Sequence, residues 1–99
     1  MKIRLGRSDY TVTKEKMHPD EAGECDHINK TIKIRKDLYL RDSLLTYIHE
    51  IVHGECAENG IRQTPGWTLD KEELLCENIS YCVMENVVDI LPKLKKLLK

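Results

Sequence analysis

His49, Glu50, Ile51, Val52 and His53 spell H-E-x-x-H. On a helix, positions i and i+4 stack one turn apart on the same face, so the two imidazoles can converge on one metal ion. Glu50 stands beside them as a carboxylate able to take a proton from metal-bound water. Two neutral nitrogen ligands and an adjacent base form the core of a hydrolytic zinc site. A random chain of this length and composition would contain the pattern in on the order of one per cent of cases. The competing reading is a helical face on which His, Glu and His are merely solvated.

The motif needs a helix, and the surrounding residues predict one from about Tyr39 or Asp42 to Asn59, where Asn59-Gly60 supplies a stop. Leu45, Ile48, His49, Val52 and Cys56 recur at helical spacing, which puts His49 on the apolar stripe. A core histidine satisfied by one hydrogen bond would leave His53 unexplained. Before this helix the pattern is of period two: Lys2 to Leu5 and Tyr10 to Thr13 read as strands about a turn at Gly6 to Ser8. After a polar stretch from His18 to Gly23, Glu24 to His27 and Thr31 to Arg35 read as a hairpin joined around Asn29, with Ile32 and Ile34 inward. Ile61 to Leu69 is a loop, with Trp67 as a cap over the core. A second helix starts near Asp70 and runs to about Leu91, where Pro92 ends or kinks it; Leu75, Ile79, Val83, Asn86, Val87 and Ile90 are its inward stripe. The expectation is one α+β domain over residues 1–99, with an N-terminal antiparallel sheet or hairpin and two functional helices.

Catalytic zinc normally takes three protein ligands and keeps one position open. Glu73 lies 20 positions after His53, and Glu77 stacks one turn beyond it. An antiparallel return of the chain would bring the start of the second helix opposite the motif. Asp70-Lys71-Glu72-Glu73 also fits a capping-box start, which would tie Glu73 to the backbone of residue 70 and make Glu77 the third ligand.

H-E-I-V-H followed by Glu73-Leu74-Leu75-Cys76-Glu77 resembles the gluzincin arrangement, H-E-x-x-H with a glutamate on a later helix. Gly23-Glu24-Cys25-Asp26, Thr31-Ile32-Lys33-Ile34 and Leu45-Thr46-Tyr47-Ile48-His49-Glu50 look like the small zincin-like domains of phages and bacteria related to the ImmA/IrrE type of metallopeptidase. The likeness spans roughly residues 23 to 88. It implies a zincin-like fold and one zinc ion per chain held by His49, His53 and Glu73. It also implies Glu50 as general base and Glu77 as the carboxylate that orients an imidazole, and it implies hydrolysis of a peptide or protein substrate. Substrate would add as a strand along the Thr31 to Arg35 edge.

Such mechanisms usually add a Tyr, His or Arg that stabilises the oxyanion, and the loss of one such donor costs about 100 to 1,000-fold in rate. Tyr47, Tyr81, Arg62 and His27 are available, without a motif that selects among them. The alternative is a catalytically weak or inactive zinc-bearing module that binds a partner protein. Retention of Glu50, which a purely structural site does not need, favours the enzyme. His and carboxylate ligands also suit several other divalent metals.

Composition narrows the remaining classes. A formal charge of −1, with 16 Lys and Arg against 17 Asp and Glu, gives no basic footprint for nucleic acid. Lys93, Lys95, Lys96 and Lys99 read as the solvated side of a terminal helix whose apolar side is Leu94, Leu97 and Leu98. No apolar run approaches the roughly 20 residues that cross a bilayer, and Met1 to Arg7 lack a signal-peptide core, so the sequence predicts a cytoplasmic protein without a membrane partner. Cys25, Cys56, Cys76 and Cys82 are then reduced, partly buried small residues, and none has C-x-x-C spacing. Nothing in the sequence sets the oligomeric state.

Overall fold

A computed structural model describes residues 1–98; Lys99 and the side chains of Val88, Ile90 and Leu91 lie outside the described residues. The strands are β1 (Lys2–Leu5), β2 (Ser8–Glu15), β3 (Gly23–Asp26) and β4 (Thr31–Arg35). The helices are α1 (Leu40–Glu58), a one-turn 3-10 segment (Ile61–Gln63) and α2 (Leu69–Leu97). The class is therefore α+β, as the spacing predicts.

Both expected hairpins form. In β1–β2, Ile3 faces Tyr10, and in β3–β4, Cys25 faces Ile32. The sheet as a whole is not antiparallel, however. Its order is β1-β2-β4-β3, and β2 runs parallel to β4, with Val12 beside Ile32. The polar stretch after β2 carries the chain to the far edge, so β4 returns into the gap between β2 and β3. This register gathers Leu5, Tyr10, Val12, Ile32 and Ile34 into one buried cluster, with Tyr47 and Ile51 of α1 against it. It also removes the expected Thr31 to Arg35 edge: β4 is paired on both sides, and the outer strands are β1 and, beside β4, β3.

α1 lies against the sheet on one side and α2 on the other. Two glycines let it approach closely. A Cβ on Gly54 would sit 2.4 Å from Leu5 Cδ1, and one on Gly23 would sit 2.5 Å from Thr46 Cγ2 and 3.2 Å from Glu50 Cγ. The close contact turns the helix relative to its apolar periodicity. Ser43, Thr46, Glu50, His53, Gly54 and Cys56 are its buried residues, while Leu45, Ile48, His49 and Val52 are half-buried. At the end of α1, Glu58 accepts hydrogen bonds from Tyr10 Oη (2.7 Å), Ser8 Oγ (3.0 Å) and Lys30 Nζ, which ties the helix to the sheet.

α2 departs from expectation in two ways. Pro92 lies inside it, and the helix resumes beyond the proline, with Leu98 N–H donating to the Leu94 carbonyl. Proline removes one helical hydrogen bond, and the residues after it are free to continue. The inward stripe is also rotated. Glu72, Cys76 and Ser80 are buried, whereas Ile79 and Asn86 are exposed and Leu75 is half-buried. At 1.5 Å per residue, α2 with 29 residues outruns α1 with 19 by about 15 Å. Leu94, Leu97 and Leu98 consequently remain exposed and do not form a buried side.

Candidate metal centre

The site lies where the middle of α1 faces the first turns of α2. Thr68 caps α2, its hydroxyl accepting from Lys71 N–H at 3.2 Å, so Glu73 is not drawn into a capping box. Glu73 instead reaches across to α1. Its Oε1 is 2.7 Å from His53 Nε2, and its Oε2 is 3.2 Å from His49 Nε2. The rings of His49 and His53 stand 5.0 Å apart at 64°, as one helical turn dictates.

His53 is fixed from behind by a residue that sequence reasoning missed. Glu72 is only 1% exposed, and its Oε2 lies 2.5 Å from His53 Nδ1. The same carboxylate accepts Arg62 Nε and a second guanidinium nitrogen, both at 2.8 Å, and Trp67 Nε1 at 3.3 Å. Arg62 above all, aided by His53 and Trp67, holds the Glu72 carboxyl down to about 2, so it is ionised and can only accept. His53 must therefore donate from Nδ1. In the neutral ring this directs the Nε2 lone pair at Glu73.

That arrangement fits a cation. A lone-pair nitrogen and a carboxylate oxygen at 2.7 Å need a positive charge between them, either a proton on the ring or a shared metal ion. Two ligand atoms on one tetrahedral zinc stand about 3.3 Å apart. The His49 separation matches this, and the His53 separation would open by several tenths of an ångström. Cys76, three residues past Glu73 on the same side of α2, adds a further donor: its sulfur and the ring nitrogens of His49 and His53 all lie within 4.8 Å of one another. Adjacent glutamates point about 100° apart on a helix, so the sequence could not say which of Glu72 and Glu73 meets which imidazole. The i+3 spacing of Cys76 from Glu73 was a usable signal.

Glu50 is 8% exposed and lines the same cavity of about 480 Å³, together with His49, His53, Glu73, Glu77, Tyr81 and the Asp20 to Gly23 segment. Burial pushes its carboxyl up to about 7; the neighbouring His53 opposes the rise, and Glu73 and Glu24 add to it. Glu77 lines the cavity too, and the carboxylate against His53 Nδ1 is that of Glu72. Of the four oxyanion candidates, Tyr81 faces the cavity. Arg62 is bound to Glu72, Tyr47 packs on the core cluster, and His27 is exposed beside the β3–β4 turn.

No disulfide joins the cysteines: Cys56 and Cys76 are buried, Cys25 is half-buried and Cys82 is exposed. Among the described residues, no helix is long and apolar enough to cross a membrane. Compared with known protein families, curated proteins and solved structures, the chain matches none.

Proposed function

We propose that this chain is a minimal zincin-like metallopeptidase of the gluzincin arrangement, with His49, His53 and Glu73 as zinc ligands and Glu50 as general base. The observation that carries this reading is the convergence of both Nε2 atoms on one Glu73 carboxylate, beside a buried glutamate in an open cavity. Zinc held there would supply a Lewis acid for a peptide carbonyl and a water of lowered pKa.

The chain's own residues divide the remaining work. Glu72 holds the tautomer of His53 and, with Arg62 and Trp67, keeps the ring from turning. Glu50, whose burial raises its proton affinity toward neutrality, can accept a proton from the attacking water and hand it to the leaving amine. Tyr81 lines the cavity, and its hydroxyl is the donor this reading assigns to the developing oxyanion. An extended peptide would find free main-chain groups on β3, whose first residue borders the cavity, and not on β4.

The test is a pair of substitutions on zinc-loaded protein challenged with an unbiased peptide mixture. Glu50→Gln is expected to retain zinc and lose cleavage, and His53→Ala to lose both. Cleavage that survives Glu50→Gln would overturn the mechanism. Zinc without turnover in the unsubstituted protein would favour the partner-binding module.

A further inference from the structure

Cys76 has no counterpart in the ligand set just described, yet it lies at the same point. It is wholly buried, on the face of α2 that presents Glu73, and its sulfur stands with both imidazoles in one group of donor atoms. Tetrahedral zinc with a sulfur at about 2.3 Å and a nitrogen at about 2.0 Å places them roughly 3.5 Å apart, within reach of this group by small side-chain rotations. A merely packed cysteine needs no such neighbours, and the other buried cysteine on these helices, Cys56, is not part of the group.

We propose that Cys76 is a direct ligand of the metal ion, so that the resting shell is His49, His53, Cys76 and Glu73, and that Glu73 is the donor that leaves to open a position for water or substrate. This rests on the reading of the site as a metal centre. The order of burial supports the division of roles. Cys76 is 0% exposed, and the side chains of His53, His49 and Glu73 are 11%, 22% and 46% exposed. A donor sealed between two helices cannot leave without parting them, whereas a half-exposed carboxylate on a flexible stem can swing into solvent. On binding, the thiol releases its proton to solvent and the sulfur coordinates as thiolate, the form that binds metal. A thiolate in the shell favours zinc, cobalt or cadmium over magnesium or calcium.

The experiment is optical titration of the metal-free full chain, without a histidine tag, with cobalt(II). The unsubstituted protein is expected to bind one cobalt per chain and to show a near-ultraviolet sulfur-to-cobalt charge-transfer band. Cys76→Ser should lose the band; Cys25→Ser, Cys56→Ser and Cys82→Ser should each keep it, which identifies the thiol by exclusion if Cys76→Ser does not fold. Glu73→Gln should keep the band, because the buried donors remain. Cobalt bound without a thiolate band, or a band that survives Cys76→Ser in folded protein, would overturn the assignment of Cys76 while leaving the metal centre standing. Failure to bind cobalt at all would overturn both, and the two failures are thereby distinguishable.

Discussion

On the side of α1 that faces the sheet, Leu5, Tyr10, Val12, Ile32 and Ile34 close over one another and over Tyr47 and Ile51. On the side that faces α2, His49 and His53 pair with Glu72 and Glu73. The first interface is built from groups that gain by leaving water. The second holds groups that lose solvation when buried, and it recovers that loss only through dense mutual pairing. Well-packed apolar residues would join two helices at least as firmly, so stability alone does not account for the choice of side chains on the α2 side. The comparison teaches that α1 has two unlike faces: one packs an apolar core, and the other holds the ionisable groups of the proposed site.

The apolar side should be the more sensitive to truncation. Leu5→Ala removes a side chain that packs against Gly54 and is expected to lower unfolding free energy by about 2–5 kcal/mol in urea titration. A smaller loss, comparable with that of an exposed leucine, would break the contrast. Next, Glu72→Gln leaves Arg62 without its carboxylate and weakens the hold on His53. The expected cost is about 1–3 kcal/mol in metal-free protein, with about 10- to 100-fold weaker zinc binding by competition titration.

pH separates the two sides further in metal-free protein. Glu50 has its folded value raised above the ordinary 4.5 to about 7, so the folded state holds its proton while the unfolded state has released it. Its contribution is fully present below about 4.5 and is lost as pH rises to about 7, and Glu50→Gln should flatten that decline. Glu58 has the opposite sign. The hydrogen bonds from Lys30, Tyr10 and Ser8 hold it down to about 2, so its contribution is present above 4.5 and is lost as pH falls toward 2. Urea midpoints measured across pH, for each variant, check both signs. The smallest effect expected is that of Tyr10→Phe, which removes one hydrogen bond to Glu58 and should cost about 1 kcal/mol.

Local periodicity made much of this legible. The helix through His49 to His53, its stop at Asn59-Gly60, and both hairpins follow from residue spacing and turn chemistry. What escaped was set by packing between distant segments. The parallel pairing of β2 with β4 depends on where a polar stretch carries the chain, not on any residue within the strands. The partner of His53 is Glu72 because α2 docks with one particular rotation on α1, and neighbouring glutamates look alike until that rotation is known. The deep position of Glu50, where its apolar neighbours are half-buried, follows from glycines 23 and 54 letting the sheet close in on α1. Pro92 marks either an end or a kink in the sequence, because proline removes one helical hydrogen bond, and α2 continues past it to Leu97.

The central claim is that α1 and α2 meet around a metal ion. Its most direct test is zinc titration of the metal-free, untagged chain by calorimetry, alongside His49→Ala and His53→Ala. One zinc bound per chain, with binding lost in both variants, is the predicted result. No binding by the unsubstituted chain, or undiminished binding by the variants, would contradict it.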